Sequence, residues 1–206
     1  MGTLAVGRIN AADIDAVTID AYGTLATLVD PLPRLQELLP GHQLPEIERA
    51  FRAEGSFYAA NVHTGRDAAT LAQLREACVG VFNESLGSTL TADEYVGALV
   101  FEPLPGGREA VRRLQSLGLT LAVVGNWDFS LHHWLEELGL ADVFATVVHA
   151  AAKPSPDGIL AALNAMGVSP SRALHIGDEP SDEQAARAAG VRFAPAPLAE
   201  AVASLV

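Results

Sequence analysis

Cysteine is almost absent from this sequence. Cys78 is the only one among 206 residues, so no disulfide can form within the chain, and the cytoplasm is the expected compartment. Residues 71–82 have an amphipathic helical pattern, which favours a packed side chain for Cys78 over a catalytic thiol. Long apolar runs are also missing, since no stretch approaches the roughly 18 residues of a membrane span and the first residues lack a signal-peptide pattern. The sequence therefore predicts a soluble protein that is neither exported nor inserted in a membrane.

Positive charge is scarce as well. Lys and Arg together number 13 against 25 Asp and Glu, which gives a formal net charge of -12 at pH 7. This excess of negative charge argues against nucleic acid or an anionic membrane surface as the main partner. Any anionic substrate would have to be held by local cations, by backbone N–H groups or by a bound metal ion.

Two different patterns divide the chain. After a lead-in over residues 1–15 and a first strand at 16–20, residues 27–100 show helical periodicity without convincing strands. Beyond them, short apolar strands alternate with helices. The predicted strands are 119–124, 143–148, 173–176 and 191–193, and the predicted helices are 108–117, 130–138, one that opens at 155–157, 183–189 and 198–205. Such alternation predicts an α/β fold with a doubly wound parallel sheet, into which the helical segment is inserted after the first strand.

Polar residues follow four of the predicted strands. Asp20 ends the first strand, Asn126 and Asp128 follow the second, Lys153 follows the third, and residues 177–182 follow the fourth. Because the carboxyl ends of parallel strands share one edge of a sheet, we expect these side chains to converge. Several carboxylates with one lysine at a single edge predict a site that binds a divalent cation and an anion together.

The order of these motifs resembles that of the haloacid dehalogenase-like hydrolase superfamily. The matching elements are Asp-x-x-Gly-Thr-Leu from Asp20, a helical insert, Asn126, Lys153-Pro154, and Gly-Asp-x-x-x-Asp from Gly177. They span essentially the whole chain. The resemblance implies a Rossmann-like core over residues 1–26 and 101–206, with residues 27–100 as a mobile helical cap.

The resemblance also implies roles for single residues. Asp20 would be the nucleophile that forms an aspartyl-enzyme intermediate, and Lys153 would stabilise the anion. The implied Mg²⁺ ligands are Asp20, the main-chain carbonyl of Tyr22, Asp178 and Asp182. The residues expected to bind substrate are Tyr22, Thr24, Asn126 and Arg52. From its position alone, Asp182 suits a helix cap about as well as a metal site, and His175 suits a packed histidine in a strand.

Two positions depart from the phosphatases of this superfamily. They carry a second Asp, as general acid, where this chain has Tyr22, and Ser or Thr where it has Gly125. Loss of a general acid typically costs about 10²- to 10⁴-fold in rate. A phenol is a weak replacement, because its ordinary pKa is about 10. Ordinary alkyl phosphates are therefore expected to be slow substrates.

A halide leaving group needs no proton, so a second enzyme class has to be considered. Asp-Ala-Tyr-Gly-Thr-Leu from Asp20 is similar to the first motif of 2-haloacid dehalogenases, and Arg52 with Tyr58 resembles their Trp-Arg…Tyr segment. Those dehalogenases need no metal, whereas Asp178 retains a metal ligand. The fourth motif therefore favours a Mg²⁺-dependent phosphatase of a small phosphorylated metabolite. The alternatives are a 2-haloacid dehalogenase and a catalytically weakened binding protein, and the sequence leaves the oligomeric state open.

Overall fold

The computed structural model describes residues 9–205. Most of the predicted lead-in, residues 1–8, therefore lies outside the described residues, as does Val206. In chain order the strands are β1 (Ala16–Ile19), β2 (Ala26–Leu28), β3 (Phe101–Pro103), β4 (Thr120–Val124), β5 (Thr146–Val148), β6 (Ala173–Gly177) and β7 (Arg192–Pro195). The helices are α1 (Leu32–Leu38), α2 (Leu44–Asn61), α3 (Ala68–Leu86), α4 (Ala92–Ala98), α5 (Gly107–Ser116), α6 (Ser130–Glu137), α7 (Asp157–Met166), α8 (Pro180–Ala189) and α9 (Leu198–Ala203).

These elements form two compact units. The first contains the described residues up to Thr27, Pro103–Trp127, and the residues from Leu131 onward. The second contains Leu28–Glu102 together with Asp128–Ser130. No helix within residues 9–205 combines the length and the apolar character needed to cross a bilayer.

The first unit is built on a five-stranded parallel sheet in the order β5-β4-β1-β6-β7. All residues of β1 and β6 are buried, and so are all residues of β4 except the first, as expected for parallel strands covered on both faces. Helices α5 and α9 pack on each other, as do α7 and α8, and both pairs contact the sheet. The predicted α/β fold with a doubly wound parallel sheet is confirmed.

The register of the central strands positions the functional residues. Ile19, the last residue of β1, lies beside Val123 of β4 and Ile176 of β6. The loops that follow these three strands therefore leave the sheet at the same edge.

The second unit contains the four helices α1–α4. Their apolar faces enclose a core in which Leu35, Ile47, Phe82 and Tyr95 are almost completely buried, and the rings of Phe82 and Tyr95 lie 4.9 Å apart between centroids. Cys78 is buried, as its helical pattern predicts.

The sequence reading missed the two short strands β2 and β3, which pair in a two-stranded sheet where the chain leaves and re-enters the first unit. Each has only three residues, too few for a period-two pattern to be recognised. Strand β5 is also shorter than predicted, because residues 141–143 form a turn of 3₁₀-helix instead.

Candidate active site

Asp20 follows β1 directly and opens a tight turn. Its backbone N–H continues the sheet by donating to the carbonyl of Ile176, at 2.9 Å, and the residue is only 5% exposed. The turn closes where the N–H groups of Leu25 and Ala26 both donate to the carbonyl of Ala21, at 2.8 and 2.9 Å. The local backbone thus fixes Asp20 at the edge of the sheet.

Gly23 lets this turn lie against Asp178. Its φ of +82° suits glycine, and a Cβ there would fall 2.1 Å from Oδ2 of Asp178. The Thr24 hydroxyl donates to Oδ1 of the same carboxylate at 3.4 Å. The lack of a side chain at Gly23 and the hydrogen bond from Thr24 therefore allow the Asp178 carboxylate to lie against the turn that follows Asp20.

Lys153 is the only lysine in the chain, and it is buried, with 7% of its surface exposed. The amide of Asn126 holds its main chain from both sides. Lys153 N–H donates to Asn126 Oδ1 at 2.8 Å, and Asn126 Nδ2 donates to the Lys153 carbonyl at 3.0 Å. The loop before Lys153 contains Ala150 and Ala152 with φ of 50° and 56°, a region that alanine seldom occupies. Asn126 is exposed and holds the main chain of Lys153 in place, and its predicted contact with substrate stays a prediction.

The Lys153 ammonium group donates hydrogen bonds to the carboxylates of Asp20 and Asp182. Burial raises the pKa of Asp20 to about 7, an effect that Lys153 partly offsets and Asp182 reinforces. Burial alone would raise the pKa of Asp182 too, but the hydrogen bond with His175 and the charge of Lys153 outweigh it and lower that pKa. Lys153 is therefore the cation that allows two carboxylates to lie together in a buried place.

Asp182 also caps the start of helix α8. It is the third residue of α8, and its Oδ2 accepts from the Glu179 N–H at 3.1 Å, in a reciprocal capping arrangement. The sequence left a helix-capping role and a metal-site role open for Asp182. The structure shows the cap, and it also places the carboxylate beside Lys153 and Asp20.

Three carboxylates offer a place for a metal ion. Asp20, Asp178 and Asp182 each present one oxygen, and these oxygens lie within 4.8 Å of one another. Carboxylate oxygens are the ligands that Mg²⁺ prefers in proteins, so the donor set fits Mg²⁺. Partial burial raises the pKa of Asp178, and the nearby Asp182 carboxylate adds to the rise.

His175 is packed within a strand, as the sequence suggests, but it makes contacts at this site that sequence reasoning did not predict. It is completely buried in β6, with Nδ1 at 2.8 Å from Thr18 Oγ1 and Nε2 at 3.1 Å from Asp182 Oδ1. Burial lowers its pKa, which the bond to Asp182 opposes. One signal was available, because Thr18 and His175 are polar residues within otherwise apolar strands, but only the register shows that they face each other.

The remaining predicted residues are more exposed. Tyr22 is 52% exposed, and its backbone forms an isolated bridge with Ala26. Arg52 belongs to the second unit, where its guanidinium group pairs with Glu48 on the surface of α2. Tyr58, in the same helix, donates its hydroxyl hydrogen to Asp128 Oδ2 at 3.1 Å.

Comparison with known proteins adds family and fold relatives. Residues 14–190 match the family model described as haloacid dehalogenase-like hydrolase. The chain is 31% identical over 175 residues to a phosphoglycolate phosphatase of Mesorhizobium japonicum, an alignment that covers 80% of this chain and 76% of that enzyme. It is 29% identical over 191 residues to a phosphoglycolate phosphatase of Pseudomonas syringae pv. tomato. That alignment covers 87% of this chain but only 65% of the phosphatase.

Among solved structures, the L-2-haloacid dehalogenase of Xanthobacter autotrophicus is similar to this chain, with a TM-score of 0.66 and 25% identity. That alignment covers 88% of this chain and 77% of the dehalogenase. The relatives thus include enzymes with both of the chemistries that the motifs suggest.

Proposed function

Because the chain belongs to the haloacid dehalogenase-like hydrolase family, we propose that it is a Mg²⁺-dependent phosphatase of a small phosphorylated metabolite. The observation that carries the proposal is the buried Asp20 carboxylate, which lies beside two further carboxylates and one buried ammonium group. The phosphoglycolate phosphatases among its relatives support phosphoryl chemistry.

In the proposed reaction, a carboxylate oxygen of Asp20 attacks phosphorus. The new O–P bond forms as the bond from phosphorus to the leaving oxygen breaks, and the leaving oxygen keeps the electron pair. Water then attacks the phosphorus of the aspartyl phosphate, the bond to Asp20 breaks, and inorganic phosphate is released. Asp20 must be ionised to attack, and the hydrogen bond and charge of Lys153 favour that form.

The carboxylates of Asp20, Asp178 and Asp182, with the main-chain carbonyl of Tyr22, are the proposed Mg²⁺ ligands. Bound Mg²⁺ would supply the positive charge that offsets repulsion between these carboxylates and the phosphoryl oxygens. Thr24 orients Asp178 by its hydrogen bond. Lys153 supplies the second positive charge at the same edge.

The proposal extends to the domains and the surroundings of the protein. Residues 27–100 would act as the cap and residues 1–26 with 101–206 as the hydrolase core, in a cytoplasmic protein that takes a small anionic substrate.

Arg52 is proposed to contact that substrate, so Arg52→Ala should raise KM with little change in kcat. Arg49→Ala, on the exposed surface of the same helix, is the control and should leave KM unchanged.

The substrate's leaving group is proposed to be stable without a proton, as in an acyl or aryl phosphate. Tyr22 stands where a carboxylic acid would serve as proton donor, and Gly125 stands where a hydroxyl would contact the transferred group. A Cβ at Gly125 would lie 3.1 Å from Cβ of Ala21, so a serine or threonine there would press on the residue after Asp20. A side chain at position 125 would thus require Ala21 to shift by a few tenths of an ångström.

A 2-haloacid dehalogenase is the second candidate function. The observations that favour it are Tyr22 in the first motif and the similarity to the Xanthobacter dehalogenase. In that reaction an Asp20 oxygen would bond to the carbon that bears the halogen, the carbon–halogen bond would break, and halide would leave with the electron pair. A third candidate is a weakened family member that binds a ligand without turnover.

One screen separates these candidates. Acetyl phosphate, p-nitrophenyl phosphate, phosphoglycolate and 2-chloropropionate are each incubated with Mg²⁺ and with EDTA, and Asp20→Asn is the control. Phosphate release that needs both Mg²⁺ and Asp20 supports the proposal. Chloride release in EDTA supports the dehalogenase instead, and a lack of turnover with every substrate supports the binding protein.

A further inference from the structure

A continuous line of hydrogen bonds runs behind the carboxylate cluster, within the buried interior of the first unit. Thr18 Oγ1 lies 2.8 Å from His175 Nδ1, and His175 Nε2 lies 3.1 Å from Asp182 Oδ1. The same Asp182 oxygen accepts from the Lys153 ammonium group, which also donates to Asp20. The line therefore connects the interior of strands β1 and β6 with the proposed nucleophile.

The partners determine which nitrogen of His175 carries the proton. An ionised carboxylate can only accept hydrogen bonds, so Nε2 must be the donor to Asp182. In a neutral ring Nδ1 is then the acceptor, and the Thr18 hydroxyl donates to it. Every polar atom of the ring is satisfied, and the residue is completely buried, so the imidazole has one well-defined orientation.

Asp182 is held at both oxygens as a result. Oδ2 accepts from the Glu179 N–H at the start of α8, while Oδ1 faces His175 and Lys153. Without the bond from Nε2, the Oδ1 side of the carboxylate would depend on Lys153 alone. Within residues 9–205, the hydrogen bonds that fix the Lys153 side chain run to the carboxylates of Asp20 and Asp182.

We propose that His175, oriented by Thr18, is a positioning residue that fixes Asp182 so that Lys153 is held beside Asp20. The role of Lys153 in catalysis rests on the proposed phosphatase function, whereas the placement of its side chain does not. Partners of this kind, one step behind the reacting groups, typically change activity by about 10- to 100-fold when they are removed. His175 would therefore affect kcat without contacting the substrate.

The single lysine allows a direct test. Protein labelled with [ε-¹³C]lysine gives one lysine signal in an NMR spectrum, which reports the surroundings of Lys153 alone. His175→Leu removes the donor to Asp182, and we expect the Lys153 signal to move and kcat to fall at least about tenfold with KM little changed. His175→Gln retains an N–H donor at the end of its side chain and should restore part of both.

Leu174→Ala is the matched control, because Leu174 is a neighbouring, completely buried residue of β6. It should lower stability and leave the Lys153 signal in place. Thr18→Val removes the hydroxyl donor but keeps the side-chain shape. If His175→Leu does not fold, the result for Thr18→Val decides the test. A Lys153 signal that stays in place in Thr18→Val and His175→Leu overturns the inference.

The outcomes separate this inference from the proposed function. A Lys153 signal that moves in an enzyme without turnover on any phosphate ester would support the positioning role and contradict the phosphatase. If the natural protein is a phosphatase, and the variants leave both the Lys153 signal and kcat unchanged, the result would support the phosphatase and contradict the positioning role.

Discussion

The Cα of Gly177 lies so close to Asp182 that a methyl group on it would fall 2.3 Å from Asp182 Cγ. Gly177 is the last residue of β6, and Asp182 lies in the first turn of α8. The missing side chain therefore makes the space in which the Asp182 carboxylate meets Lys153. A backbone feature thus controls where a charged group of the site can lie.

Gly177→Ala should force Asp182 away from Lys153. Overpacking of this kind costs about 1–3 kcal/mol of unfolding free energy, and kcat should fall with it. Urea unfolding and steady-state kinetics measure both effects. Gly80→Ala is the control, since Gly80 lies in α3 with no neighbouring atom within 4 Å of the added methyl, and it should raise stability by about 0.5–1 kcal/mol. Equal stability changes in the two variants would contradict the prediction.

Tyr22→Asp should change which phosphate esters are hydrolysed. A carboxylic acid at this exposed position could protonate an alkoxide, so we expect kcat/KM for alkyl phosphates to rise about 10²-fold or more. The kcat/KM for p-nitrophenyl phosphate should change little, because its leaving group needs no proton. Tyr22→Phe has no acidic group and should show no such gain. An alkyl phosphate that is already the best substrate of the natural protein would rule out the proposed leaving-group preference.

Mg²⁺ should stabilise the protein through Asp178, whether or not a substrate is turned over. At a free concentration ten times its Kd, a ligand that binds only the folded protein adds about 1.4 kcal/mol to the unfolding free energy. Thermal unfolding with Mg²⁺ and with EDTA measures this difference. Asp178→Asn should abolish most of it, whereas Glu76→Gln, at an exposed carboxylate of α3, should retain it. The same Mg²⁺ response in both variants would place the metal elsewhere.

Glu54 should make stability depend on pH. It is buried in the second unit, where Tyr95 donates its hydroxyl hydrogen to Oε2 at 2.8 Å, and burial raises its pKa above the ordinary 4.5. The folded protein then holds this proton more tightly than the unfolded chain does. The resulting stability is complete below the unfolded pKa and is lost as pH rises through the higher folded pKa.

Glu54→Gln removes the ionisable group and keeps an oxygen that accepts from Tyr95. We therefore expect the variant to gain stability relative to the natural protein as pH rises from about 4 to about 8. Urea unfolding at a series of pH values measures the difference, with the exposed Glu84→Gln as control. A constant difference across this range would show that Glu54 does not titrate as proposed.

The sequence was sufficient for the parallel sheet because its strands are short, apolar and buried on both faces. It also placed Asp20, Lys153, Asp178 and Asp182 after recognisable strands, and the structure brings these residues together. The contacts of His175 could not be predicted, because they depend on pairing with Thr18, a residue 157 positions away. The packing of Gly125 on Ala21 was invisible for the same reason, as it joins the ends of two different strands.

The central position of β1 has a consequence for synthesis of the chain. The strand that precedes Asp20 is synthesised well before its two neighbours in the sheet, residues 120–123 and 173–176. Closing such long loops costs entropy before any pairing is gained. Until those residues emerge, β1 is an apolar strand without a sheet, which is a hazard for aggregation. The cluster of Asp20, Lys153 and Asp182 can therefore assemble only after the start of α8 has been synthesised.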